Sequence, residues 1–573
     1  MRRANRRLLA LLALGGAALA PALAQQAPES ILPPGFGEPA APAAAGNETQ
    51  ASDPLLAGNE TAEIAASEEG DAGANDTVPQ SVPVDLPPAA LRPTGQVGIF
   101  GEADGGLPPD AFGRSNGVFL TTVLARIEGP TASRWANILL RRALASATTT
   151  PEGVADADWV AERALVLARL GNADDARALV SRVDAPNYST RLYDAAMQAA
   201  LASADPALLC GLAAGANSRM PSWTLAQAMC AALGGDAGTA SAIFDEVRRT
   251  GRAGGIDVQL AEKVAGAAGG ARRATTVQWN NVGQLNAWRF GLATATGVRI
   301  PDELYGTVGP QLQAWFARAP LFPANTRLVA GDRAAAIGVY SNAALVDLYG
   351  QALDNLDADE RDGSAPQVLR EAYTGAGERK LAALEALWGG GPADAYARYG
   401  RLVLTARAAA LLPVPNGASG AQLDQLIAAM LSAGLDRQAA GWLGAVKDGS
   451  PAWAMLAVGL PDRPAVTSSA AQGFGDGPRR ALFVAALAGL GRLQGDAAAN
   501  LTGATPTPWS QALDRAVQGR ERGTVALLVA AGLQTPGWQG VPPEHLFRIV
   551  RALREVGFEP EARMIAAEAI ART

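Results

Sequence analysis

The stretch "LARLGNADDARALVSRV", Leu167–Val183, decides the fold. Leu165, Leu167 and Leu170 form an apolar stripe at helical spacing, and Gly171 follows at once. Glycine accepts the left-handed backbone that ends a helix without a Cβ penalty. Asn172, Asp174 and Asp175 then supply the polar and acidic groups that suit a helix N-terminus. Ala176, Leu179, Val180 and Val183 make the next stripe. The stretch therefore predicts two helices joined at a glycine hinge. One such hairpin cannot bury its apolar face alone, so it requires neighbours.

The spacing of a glycine, an alanine five positions on and an apolar residue seven further occurs four times: Gly171/Ala176/Val183, Gly235/Ala240/Val247, Gly434/Ala439/Val446 and Gly557/Ala562/Ala569. Four residues past each alanine stand Val180, Phe244, Leu443 and Ala566. The glycines are separated by 64, 199 and 123 residues, near multiples of one unit. The last copy, "REVGFEPEA", predicts a helix C-cap at Gly557 and a terminal hairpin of the stack.

"REVGFEPEARMIAAEAI" and "ARLGNADDARALV" resemble the turn between the two helices of a tetratricopeptide repeat, which carries glycine, alanine, a large apolar and a small residue at these offsets. Pro451 falls where that family often ends a repeat. The resemblance implies an all-α, superhelical stack of antiparallel helical hairpins. The aromatic residue usual in the family's first helix is missing, and the copies are not contiguous. As a whole the chain also resembles uncharacterised secreted alphaproteobacterial helical proteins, which implies location and architecture but no activity.

The amino end reads as a leader. Arg2, Arg3, Arg6 and Arg7 precede an apolar run from Leu8 to Ala20, and Ala22-Leu23-Ala24 is a small-x-small cleavage signal before Gln25. This predicts a secretory signal peptide over 1–24 and a periplasmic or secreted protein. The run is too short to span a bilayer, and no later run is long enough, so no transmembrane segment is expected after cleavage. Residues 25–95 read as a disordered, acidic spacer rich in Ala, Pro and Gly, with eleven carboxylates and no Lys or Arg between Gln25 and Leu91. With the leader and the spacer set aside, the net charge of −7 falls to zero. No basic block with interleaved aromatics stands out, and nucleic-acid binding is not expected.

Residues 96–573 read as helix after helix, with Gly and Pro between the stripes. So long a run of short amphipathic helices exceeds one ordinary core and predicts a solenoid, divisible into two lobes.

Few residues suggest chemistry. The single histidine, His545, has no second imidazole to share a metal, so no metal or other cofactor is expected. Cys210 and Cys230 form an even pair in a chain read as exported, which invites a disulfide; two buried thiols are the alternative. The densest aromatic region holds Trp279, Trp288, Arg289, Phe290, Tyr305, Trp315, Phe316 and Phe322. Aromatics beside arginine are interface anchors, or else they fill a core. The sequence thus points to a non-enzymatic scaffold or adaptor that binds an envelope protein or peptide. A peptidoglycan-binding accessory module is the alternative, and a hydrolase using carboxylates alone a third reading.

Overall fold

The computed structural model describes residues 90–573, except 130, 217–219, 269–275, 391–393 and 415–419. The expected signal peptide and all of the spacer up to residue 89 lie outside the described residues. The spacer's last residues are fastened to the body: the Arg92 guanidinium donates to Asp184 at 2.6 Å and Thr94 Oγ1 donates to Asp156 at 2.8 Å.

The protein is an all-α, solenoid-like stack. The described residues hold 26 α-helices and one two-stranded parallel pair, Val466–Thr467 with Leu493–Gln494. No helix among them is long and apolar enough to cross a membrane. Within the stack, helices pack in local groups of three in places. Asp156–Arg169 touches both Ala173–Val180 and Thr190–Ala202, and Pro221–Leu233 touches both Ala237–Thr250 and Gly255–Ala268.

The four glycine turns share one backbone geometry. Gly171, Gly235, Gly434 and Gly557 have φ of +73°, +86°, +73° and +85°. Each glycine N–H donates to the carbonyl three residues back, and the next N–H to the carbonyl five residues before itself, as in Gly171 to Ala168 and Asn172 to Leu167. That is the Schellman closure of a helix. The second helix starts alike each time, with the N–H of Ala176, Ala240, Ala439 or Ala562 donating to the carbonyl just after the glycine. All four alanines are buried. Beyond Ala439 the third copy departs from expectation: its second helix is only Asp436–Ala440, Leu443 is 37% exposed and Val446 lies outside any helix. Pro451 stands where one helix gives way to the next. It is the first residue of the Pro451–Gly459 helix, where its missing N–H costs nothing, behind the Ser450 cap.

Two large cores result. One gathers residues from Val97 to Trp315, the other mainly residues from Ala324 to Ile570. Two helices feed both. In Arg134–Ala145, Leu140 and Leu144 face the first core while Ala136, Leu139 and Ala143 face the second. In Arg522–Gly532, Leu527 and Ala530 face the first, and Val525, Ala526, Leu528 and Val529 the second. The two lobes are therefore fused along shared helices.

The stack closes on itself. The last helix, Glu559–Ala571, pairs with Pro543–Glu555 in the expected hairpin and is covered by further helices as well. It packs against Arg134–Ala145, Ala421–Ser432, Pro451–Gly459, Gly477–Leu490 and Pro543–Glu555, and every residue from Ala562 to Ile570 is buried. Its Glu568 carboxylate accepts from Ser133 Oγ at 2.6 Å, from the Arg134 backbone N–H at 2.8 Å and from Arg572 at 2.7 Å. Glu568 thereby caps the first turn of a helix more than 400 residues away, where negative charge is favoured. The Arg134 guanidinium reaches the carbonyls of Ser432, Ala335 and Tyr340.

Candidate functional site

A cleft of about 830 Å³ lies beside this closure. Its floor is one face of the Ala421–Ser432 helix, at Ala421, Asp424, Gln425 and Ala428, the i, i+3, i+4, i+7 pattern of a helical stripe. A parallel stripe of the Ala395–Ala410 helix, Ala395, Arg398, Tyr399 and Leu402, forms one wall. Pro451 and Met455, Arg479, the loop 536–540 and the end of the last helix complete it. The alanines keep the floor low; the longer side chains supply the rim.

The polar groups of the cleft divide into satisfied and unsatisfied ones. Asp424 accepts from the Ala452 N–H at 2.8 Å and so caps the Pro451–Gly459 helix. Burial pushes its carboxyl up, while that hydrogen bond and Arg479 pull it back. The Trp388 indole donates to Thr405 Oγ1 at 2.8 Å, and Tyr396 Oη donates to the Pro536 carbonyl at 2.9 Å, holding the loop in place. Arg572 lies over the rings of Tyr399 and Tyr396, 4.7 and 5.2 Å from their centres, with its charge balanced by Glu568. By contrast the Trp538 indole N–H and the Arg479 Nε–H are buried with no hydrogen-bond partner. Both are donors, and an unmet buried donor costs about 1–3 kcal/mol. The lining carries donors and acceptors alike, Arg398, Arg479 and Arg572 beside Asp424, Gln425 and Gln539.

The aromatic region read from the sequence is divided by the structure. Trp288, Phe290 and Trp315 are buried in the first core. Trp288 donates to the Asp257 carbonyl and Trp315 to that of Ala168, each at 3.1 Å. Arg289 pairs with Asp257 at 2.8 Å. Trp279, Tyr305 and Phe316 are half-buried, and Tyr305, Phe316 and Phe322 make an edge-on ladder with ring centres 5.8 and 5.2 Å apart. The structure thus takes Trp288, Phe290 and Trp315 for the core and leaves Trp279, Tyr305 and Phe316 partly open. Cys210, after the 3-10 helix Pro206–Leu209, is joined to Cys230 in the last turn of Pro221–Leu233, with Cα atoms 5.2 Å apart. His545 stacks on Trp509 with ring centres 4.4 Å apart, beside the Gly532 carbonyl. No cluster of His, Cys, Asp or Glu able to hold a metal occurs among the described residues.

No cleft residue was singled out in the sequence, apart from Pro451 for another reason. The stripe Ala421/Asp424/Gln425/Ala428 was present there, but nothing distinguished it from many similar stripes in an Ala-rich chain. Comparison with known proteins yields no matching family model, no matching curated protein and no matching solved structure.

Proposed function

We propose that the protein is a non-catalytic scaffold of the bacterial envelope that holds an extended segment of a partner polypeptide in the cleft between the Ala395–Ala410 and Ala421–Ser432 helices. The observation that carries this reading is an open groove floored by the helical stripe Ala421, Asp424, Gln425 and Ala428, with Ala395 beside it and Arg398, Arg479 and Arg572 on its rim. An extended backbone presents carbonyl acceptors at regular intervals and needs a low floor to approach two helices. The envelope location rests on the leader-like amino end, and the likeness of the four glycine turns to tetratricopeptide repeats belongs to the same proposal.

Two features speak against catalysis at this place. Asp424 is the only carboxylate lining the cleft among the described residues, and it is engaged by the Ala452 N–H. The aromatic faces of Trp388, Tyr399 and Trp538 are buried, which leaves little ring surface for a sugar to stack on and disfavours a peptidoglycan module.

The test places a photo-crosslinking amino acid at Gln539, on the exposed loop of the cleft, in the full chain expressed in its host. A crosslink to an envelope protein that is lost when Gln425→Trp fills the groove supports the reading. Sedimentation of the protein with purified peptidoglycan, abolished by Gln425→Trp, would replace it with the glycan module. Crosslinks to cytosolic proteins alone would overturn it.

A further inference from the structure

We infer that the protein carries a second docking surface, for a polypeptide segment that presents lysine or arginine around a large apolar side chain. None of its residues lines the cleft. The surface is an open pocket of about 490 Å³, where the loop between Pro310–Ala317 and Ala324–Ala336 faces the end of the Asn342–Asp354 helix. One wall is apolar, Pro320, Leu321, Phe322 and Pro323, and the other is polar, Gln351, Asp354 and Asn355.

The apolar wall is well supported and left open. Phe322 meets Phe316 edge-on at 5.2 Å and Phe316 meets Tyr305 at 5.8 Å, so the loop rests on the half-buried ladder of rings. Leu321, by contrast, is 58% exposed, and Pro320 and Pro323 around it are exposed too. The two prolines restrict the loop, so little conformational freedom is lost when it is covered. A large apolar side chain held out from such a loop beside a pocket has the placement of an interface anchor.

The polar wall sets the charge of the partner. Asp347, Gln351 and Asp354 stand at i, i+4 and i+7 on the outer face of their helix, all exposed. Asp354 is the last helical residue, where the negative end of the helix dipole adds to its charge. Asp357, Asp359, Glu360 and Asp362 follow directly and are exposed as well. Residues 334–369 thus hold six carboxylates and one cation, Arg361, in a body whose net charge is zero. None of the six is in an ion pair among the described residues. Arg327, which also lines the pocket, is turned inward and donates to the Ala317 carbonyl at 2.9 Å. The acids repel an anionic lipid surface, so the exposed leucine suits a cationic polypeptide and not a membrane.

The test is fluorescence anisotropy of a labelled synthetic peptide alternating Lys with Leu, titrated with the purified full chain. Two matched peptides carry Ser in place of every Leu, or Glu in place of every Lys. Saturable binding of the Lys/Leu peptide is expected, weaker with Ser for Leu and lost with Glu for Lys. Leu321→Ser should weaken it about fivefold or more. Asp347→Asn, Asp354→Asn and Asp357→Asn together should weaken it about tenfold, and about 0.5 M salt should act in the same direction. All four positions are exposed, so thermal melts should stay unchanged. Glu102→Gln, Asp110→Asn and Asp448→Asn together remove the same charge from other exposed places and should alter binding by less than about twofold. Absence of saturable binding, an equal loss in that control, or indifference to Leu321→Ser would overturn the inference. So would sedimentation of the chain with vesicles of anionic phospholipid that Leu321→Ser abolishes, which would make the loop a membrane contact.

Discussion

Glu568 is the residue on which the most distant parts of the chain converge. It is 2% exposed, and its carboxylate serves Ser133, the N–H groups of Arg134 and Trp135, and the Arg572 guanidinium. Removing one partner of a buried pair leaves the other charge unmatched, at about 3–5 kcal/mol. Glu568→Ala should therefore lower the unfolding free energy by that amount in urea titration. Glu568→Gln, which keeps an acceptor for the helix N-terminus, should cost distinctly less. A second buried charge gives a pH signature. Burial pushes the Asp332 carboxyl up to about 6, although Arg401 at 2.6 Å and the Tyr349 hydroxyl pull it back. The folded carboxyl then takes up its proton at higher pH than the unfolded one. Its contribution is fully present below the unfolded value near 4 and is lost as pH rises to about 6. Urea titrations at pH 4 and pH 7 should show this loss, and Asp332→Asn should reduce it. A steeper loss in the variant would show that the ion pair, and not burial, governs Asp332, and an unchanged slope that the two cancel.

Among the elements, the glycine turns show what a sequence can and cannot disclose. The four hinges were legible because a left-handed residue followed by a fixed helical start selects glycine and then a small buried alanine. The same closure with another residue in the left-handed position escaped notice. Arg520, with φ +53°, repeats it: its N–H donates to Val517, the Glu521 N–H to Ala516, and the Val525 N–H to Glu521. Arg520 is exposed and a non-glycine residue in this region costs about 1–2 kcal/mol, so Arg520→Gly should be neutral or stabilising by up to about 1 kcal/mol. Surroundings separate the true hinges. A Cβ on Gly557 would meet nothing nearer than 4.0 Å, but on Gly171 it would sit 2.7 Å from the Ala314 Cβ. Gly557→Ala should cost about 1 kcal/mol from backbone strain. Gly171→Ala should cost a further 1–3 kcal/mol, roughly, from overpacking. Equal melting shifts for the two would contradict the packing of the Pro310–Ala317 helix against the first hinge. The misplaced Leu443 has the complementary cause: the motif specifies how a helix starts, not how far it runs, and this one stops at Ala440.

For the whole molecule, local pattern was legible and closure was not. An apolar stripe announces that a helix has a buried face, but not which of many helices covers it. The last helix looks from its sequence like the end of an array, yet its Arg563 and Glu568 face partners 127 and 434 residues away, Arg563 meeting Asp436 at 2.9 Å. The cleft escaped for the same reason. Its lining comes from seven segments between Trp388 and Arg572, each contributing only one to five residues. The aromatic region drew attention because large rings are conspicuous, and closure of the first core accounts for Trp288, Phe290 and Trp315.

Closure makes a prediction that an open array does not. In an open stack the terminal helix frays first and its amides exchange through low-energy local opening. Here the terminal helix is covered on every side from Ala562 to Ile570. Native-state hydrogen exchange of those amides is the most direct test. They should be among the slowest in the protein, opening only with global unfolding, and should lose that protection together with the Arg134–Ala145 helix in Glu568→Ala. Exchange at the rate of an exposed chain end, with the rest of the molecule still protected, would contradict the closed architecture and the cleft that depends on it.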